Sequence, residues 1–409
     1  MSDSTNMPTG PVATSDRIVF LDTLRGIAVM AIFIVNIKAM VMPFAYYMNP
    51  SLWTSELDQW IAIVQKFLID DKWRTIFTAL YGAGLAMMWE RLDARDLGRG
   101  ILFKRSAWLV VFGAIHLFGL WGGDILLIYG ATGLLAVLFV RVGTVKLCIV
   151  AVVLLIIGTA WESLFSAGPV FDAELRAELK PMFWEPTEEG IKAEIARQNG
   201  PLVDRLANRI AEGRDFLLFS FLLGGMLPVT LGLMLGGMVL YRTGLLRGEW
   251  PLTKTVPLAI VLLGAAWSLD LMQVAALKAA DYDFDVYSLN HWKAALDGFL
   301  GGFGYCCLVS AIVGASARQS ALAAVGRMAF SNYIACTLIG TTLAVGHGFD
   351  LYAQVSLSSL MLVVVTTLIA MLVWSSAWLN RFRFGPLEWV WRSLLYGRRQ
   401  PMRRGSIMV

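Results

Sequence analysis

Apolar residues run in blocks along this chain, and polar residues interrupt the blocks at helical spacing. Ten largely apolar stretches fall at 18–40, 73–90, 104–121, 124–141, 145–165, 216–241, 255–276, 293–315, 327–346 and 356–379. Each is about 18 to 25 residues long, enough to span a hydrocarbon core. The pattern predicts an all-α fold, a polytopic membrane bundle of about ten transmembrane helices. Little more than Trp121-Gly122-Gly123 separates the third and fourth stretches, which predicts a tight hairpin. Residues 57–70 (LDQWIAIVQKFLID) are apolar on one side only and predict a helix lying along the interface. In 216–241, Gly224-Gly225 and Gly236-Gly237 flank Pro228 and predict a kinked, closely packed helix. Gly232 and Gly236 form a small-xxx-small pair, which permits a homodimer without requiring one.

Composition supports the pattern. The 409 residues are 57% hydrophobic and 16% charged, with a mean hydropathy of +0.64. A soluble domain averages about 25% charged. The net charge of +4 is modest, and the Lys and Arg residues sit beside the spans rather than in a patch, which excludes nucleic acid as a partner and leaves membrane lipid. Cys148, Cys306, Cys307 and Cys336 all lie inside apolar stretches, so packing is expected rather than disulfides. Three scattered histidines without Cys partners predict no metal site. Residues 1–16 have neither a basic n-region nor an apolar h-region and read as a disordered cytoplasmic tail, not a cleaved signal peptide.

Positive charge orients the spans. Arg91, Arg95, Arg99, Lys104 and Arg105 share one connection, and Arg242, Arg247 and Lys254 share another on the same side. Stretches 41–58 and 122–123, on the other side, have no Lys or Arg. This alternation puts both termini in the cytoplasm and predicts a multi-pass membrane protein. The expected organisation is a tail at 1–16, a first transmembrane half at 17–165, an extracytoplasmic cap at 166–215, a second transmembrane half at 216–380 and a basic cytoplasmic tail at 381–409. The cap carries ten acidic and seven basic residues with four prolines between helix-like runs, predicting two or three short helices. In the tail, Pro386 after Gly385 suits the first turn of an interfacial helix carrying Leu387, Trp389, Trp391 and Leu394.

Strongly polar groups inside a span usually face a cavity or a partner. On the first span Arg25 and Asn36 are eleven residues apart, which returns them to nearly the same face about 16 Å apart in depth. Asp22 lies one turn before Arg25, so this helix carries one polar stripe. The span at 104–121 repeats the spacing with Arg105 and His116, and Asp124 follows the hairpin at a similar depth. Two readings of His116 stay open: a buried imidazole bonded to a neighbour, or a general base oriented by Asp124. His291 and His347 are expected at the interface, and Glu162, Asp270, Asp297 and the Asn332-Tyr333 pair are either satisfied structural groups or parts of a polar path.

Several runs carry a family resemblance: RIVFLDTLRGIAVMAIFIVNI at 17–37, FTALYGAG at 77–84, GAIHLFGLWGGDILLIYGATG at 113–133, VGRMAFSNY at 325–333 and RFRFGPLEWVWRSLLYGRRQP at 381–401. With these the chain resembles the YeiB family of bacterial membrane proteins, which carries a domain of unknown function. That family is similar in its first half to transmembrane acyltransferases of the heparan glucosaminide acetyltransferase, OpgC and OafA kinds. The resemblance implies a bundle of roughly ten helices. It also implies transfer of an acyl group from cytoplasmic acyl-CoA to an acceptor on the other face, such as an envelope glycan or a lipid-linked molecule. The OafA-like enzymes carry Arg, ten residues, then His on one helix; here Asn36 stands in the histidine's place. The glucosaminide enzymes share that Asn and place their catalytic His in the following loop, where this chain has residues 42–48, MPFAYYM, and no His. His116 is the intramembrane histidine left to substitute.

The sequence therefore supports an acyltransferase in which Arg25, Arg105 and Asp22 form the acyl-CoA mouth, His116 is the base, Asp124 orients it and Asn36 donates to the oxyanion. The alternatives are a transporter or flippase of a small or lipid-linked molecule, and a non-catalytic membrane protein.

Overall fold

The computed structural model describes residues 18–313, 320–345 and 348–404. The tail at 1–16 and His347 lie outside the described residues. The helices, in chain order, are α1 (Val19–Val41), α2 (Phe44–Met48), α3 (Glu56–Leu68), α4 (Lys72–Asp93), α5 (Gly100–Ile115) and α6 (Leu126–Ala136). Next come α7 (Thr144–Phe171), α8 (Ala173–Phe183), α9 (Glu188–Asn199), α10 (Leu202–Asp215), α11 (Met226–Arg242) and α12 (Leu252–Ala279). The chain ends with α13 (Phe284–Leu289), α14 (His291–Ile312), α15 (Ala321–Arg327), α16 (Ala329–Ala344), α17 (Leu357–Arg381) and α18 (Pro386–Leu395). The protein is an all-α polytopic helical bundle.

Six helices among the described residues are long and apolar enough to cross a membrane: α1, α5 with its continuation to Leu120, α7, α12, α14 and α17. Two bent pairs raise the number to as many as eight, Leu202–Leu223 with α11 at 67° and α15 with α16 at 85°. The other two expected spans fall on the short apolar segment Leu126–Phe139 and on α4. Helix α4 carries charge at both ends and is surrounded by α1, α11 and α14, so it meets protein where a lipid-facing helix would need apolar side chains. Burial sorts centre from rim: 67% of the apolar window of α1 is buried, against 17% in α7 and 28% in α12 and α17.

Glycines let the central helices touch backbone to backbone. A Cβ at Gly82 would sit 1.9 Å from the Met234 carbonyl oxygen, and one at Gly237 would sit 1.9 Å from that of Ala79. This reciprocal contact locks α4 to α11. Of the expected small-residue pair, Gly232 faces α7 through Leu155, whereas a Cβ at Gly236 would meet nothing within 4 Å. The expected kink sits at Gly224-Gly225, where Gly225 adopts φ +91°. Pro228 occupies the first turn of α11, where its missing N–H costs little.

The hairpin α5–α6 forms as the sequence predicts. Helix α3 keeps Leu57, Trp60, Val64 and Leu68 exposed on one stripe, the interfacial geometry expected of it. Three short helices, α8 to α10, make the segment after α7. They are tied to the bundle end that holds Val41: the Asn49 side chain donates to the Trp184 carbonyl at 3.1 Å, and Tyr352 donates to Glu194. Burial, with the Glu194 carboxylate beside it, pushes the Tyr352 phenol well above its ordinary range, so it remains a donor. Cys306, Cys307 and Cys336 are buried thiols, while Cys148 is exposed.

Candidate functional site

His116 begins a π-helical turn, His116–Leu120, that ends α5. Such turns re-aim side chains and interrupt the regular ladder. Its Nδ1 lies 2.7 Å from Asp124 Oδ1, and the other Asp124 oxygen accepts the Leu127 amide at 2.6 Å. The carboxylate thus holds Nδ1–H and presents Nε2 as the acceptor. The Thr337 hydroxyl of α16 lies 3.0 Å from Nε2 and 3.3 Å from the Tyr333 carbonyl, so its one proton serves one acceptor at a time. The Tyr333 ring centre is 5.1 Å from that of His116. The structure brings His116 and Asp124 together, but both are 1% exposed and both imidazole nitrogens are occupied.

The arginines of the polar stripes meet elsewhere. Arg25 and Arg105 line one cavity of about 580 Å³ at the end of the bundle that holds the N-terminus of α1. Arg91, Arg95, Arg327, Arg383 and Arg392 line it too, against the acids Asp22 and Glu388. Asp22 pairs with Arg25 at 2.9 Å. Glu388 is committed to structure, accepting from the Phe330 and Ser331 amides at 2.8 and 3.1 Å. This ties α18 to the sharp bend between α15 and α16. Arg105 lies between the rings of Tyr81 and Trp391, 5.7 and 4.7 Å from their centres, and its buried Nε has no hydrogen-bond acceptor. The cavity's inner wall is aromatic and apolar, including Phe77, Tyr129 and Tyr333. It can hold an elongated molecule with an anionic head and a less polar arm, since guanidinium forks match phosphate oxygens.

Asn36 is not part of either constellation. It is half-buried on α1 and does not line the cavity, and the bonds to His116 and Asp124 come from Thr337 and Leu127. Asn332 bonds Ser375 at 3.0 Å and accepts from Trp374 at 2.9 Å, a contact between α16 and α17, while Tyr333 faces the cavity.

Sequence reasoning missed a second polar centre at the opposite end. Lys72 Nζ lies 2.9 Å from Asp270 Oδ2, 2.7 Å from Asp297 Oδ2 and 3.0 Å from the Lys66 carbonyl. The three side chains are at most 1% accessible. Glycine makes the room: a Cβ at Gly301 would sit 2.7 Å from Lys72 Cγ. Nearby, Arg74 pairs with Asp71 at 2.9 Å, and each keeps about a third of its side chain accessible, 35% and 32%. The available signals were Asp270 and Asp297 inside apolar stretches and the run Asp70-Asp71-Lys72-Trp73-Arg74 at the start of another, with nothing in the sequence to join them. No group of three His, Cys, Asp or Glu residues among the described residues could hold a metal ion.

Fold and cavity together define the class: a polytopic helical membrane protein with an arginine-lined internal cavity. The chain belongs to the YeiB-type family. It is 31% identical to the uncharacterized protein YeiB of Escherichia coli (strain K12) over 393 residues, covering 93% of this chain and 96% of that protein. It is 27% identical to the uncharacterized protein YxaH of Bacillus subtilis (strain 168), covering 96% and 97%. Residues 240–398 match the family model described as protein of unknown function (DUF418).

Proposed function

We propose that this protein is a transmembrane acyltransferase that takes an acyl group from acyl-CoA on the cytoplasmic side and passes it to an envelope acceptor on the other side. The observation that carries the proposal is the convergence of Arg25 and Arg105, from separate helices, in one cavity with an aromatic inner wall. The arginines suit the phosphates of CoA as a substrate, and the aromatic wall suits the pantetheine arm and acyl group. The positive-inside rule supports a cytoplasmic position for the arginine-rich end. In this reading His116 becomes a base when the Thr337 proton turns to the Tyr333 carbonyl and frees Nε2.

A second reading, transport or flipping of an anionic molecule, is favoured by one observation: His116 is 1% exposed and does not line the cavity, whereas Tyr333, packed on it, does. Inside-out membrane vesicles given radiolabelled acetyl-CoA separate the two. The acyltransferase reading expects label fixed in lumenal envelope material and lost in Arg105→Gln. Vesicles that fix no label, and instead accumulate the intact anion, would contradict it.

A further inference from the structure

The arginine-lined cavity ends against a thin wall, and the far side of that wall is charged. Tyr129 and Phe77 line the cavity. The Tyr129 hydroxyl meets Thr78 Oγ1 at 2.6 Å and reaches the Arg74 carbonyl at 3.4 Å; Thr78 donates to the same carbonyl at 2.8 Å. Arg74 precedes Phe77 by three residues, an axial step of about 4.5 Å. Its guanidinium turns away to Asp71, giving two hydrogen bonds to Oδ1 at 3.2 and 2.9 Å. Asp71 adopts φ +59° at the turn into α4. Lys66 and His291 lie within electrostatic range of Asp71, and Glu162 within range of Arg74. Charged groups of α3, α7 and α14 thus act on the pair, and about a third of each of its side chains is accessible. An ion pair that is balanced by charges of both signs and still partly accessible is poised to exchange its internal bonds for those of a ligand.

We propose that Asp71 and Arg74, with Lys66 and His291, form a second substrate site that opens opposite the arginine-lined cavity, and that Tyr129 and Thr78 form the partition between the two. The ligand is a hydroxyl- or amine-bearing group whose O–H or N–H is held by Asp71 and whose neighbouring oxygen is held by Arg74. Its role as acyl acceptor rests on the acyltransferase reading. In that role the acceptor oxygen or nitrogen bonds the thioester carbonyl carbon, the C–S bond breaks, and the acceptor's proton, taken up by His116 as the acyltransferase reading has it, ends on the thiol of free CoA. The two substrates then need only meet across the Tyr129–Thr78 partition, with neither crossing the bilayer.

Cysteine accessibility tests the placement without assuming any reaction. In a Cys148→Ser background, Arg74→Cys and, separately, Met88→Cys in the cavity are exposed to a charged, membrane-impermeant methanethiosulfonate in intact cells and in inside-out vesicles. We expect Arg74→Cys to label from outside only and Met88→Cys from inside only, with CoA protecting Met88→Cys alone. Asp71→Cys repeats the outer arm if Arg74→Cys does not accumulate. Labelling of both positions from the same side, or of neither outer variant in folded protein, overturns the proposal. Opposite-sided labelling without CoA protection upholds the two-sided site while rejecting the acyl-CoA reading.

Discussion

Replacing Lys72 with methionine will destabilise the folded protein by about 3–5 kcal/mol, the scale measured when one partner of a buried ion pair is removed. The substitution keeps the stem that packs on Gly301 and removes only the ammonium. What remains is two carboxyl groups, Asp270 and Asp297, less than 2% accessible and stripped of the ammonium that contacts both. One oxygen of each already lacks a hydrogen-bond partner, and the substitution takes the ammonium from the other. The three residues join α4, α12 and α14, and the cost will appear as a large drop in thermal stability in detergent and a low yield of folded protein. Exchanging the whole triad for apolar residues, Lys72→Met with Asp270→Leu and Asp297→Leu, should recover much of the loss. A single variant as stable as the parent would mean that the triad is not formed.

His116→Ala will separate structure from chemistry at the other buried centre. The imidazole satisfies Asp124 on one side and Thr337 on the other, at 2.7 and 3.0 Å. Losing it leaves a buried carboxylate with the Leu127 amide alone, at a cost of about 1–3 kcal/mol or more because the group is charged. The acyltransferase reading adds loss of acyl transfer, and His116→Gln makes the test clean. Glutamine can donate to Asp124 and restore part of the stability, but it cannot take up a proton. Transfer should therefore fail in a folded His116→Gln protein. Transfer at the parent rate in either variant would show that His116 serves only to tie α5 to α16.

How much of this was legible in the sequence differs from site to site. The stripe of Asp22, Arg25 and Asn36 is a one-helix property and was readable from spacing, as were the α5–α6 hairpin and the start of α18 at Pro386. The His116–Asp124 pair spans eight residues across that hairpin, near enough to infer. The Lys72 triad was not, because its carboxylates lie 198 and 225 residues away and nothing local ties α4 to α12 and α14. The gathering of Arg25, Asp22 and Arg105 at one mouth was readable from their shared depth, but the arrival there of Arg91, Arg95, Arg327, Arg383 and Arg392 was not: positive charge beside a span reads as orientation whether or not a cavity gathers it. The 85° bend between α15 and α16 escaped for another reason. Met328 carries no Gly or Pro signal, and the bend is held by Glu388 from α18, 57 and 58 residues on. The polarity of Asn36 was legible, but its separation from His116 depends on how α1 packs.

The central claim is that Arg25 and Arg105 hold the phosphates of acyl-CoA. It is tested most directly by the thermal stability of the purified protein with acetyl-CoA, compared between the parent and an Arg25→Gln, Arg105→Gln double variant. A ligand at a hundredfold excess over its Kd stabilises the folded state by about 2.7 kcal/mol. The account predicts a clear upward shift in Tm for the parent and little or none for a double variant that is itself folded. A parent that does not respond to acetyl-CoA, or a double variant that responds equally, would contradict it.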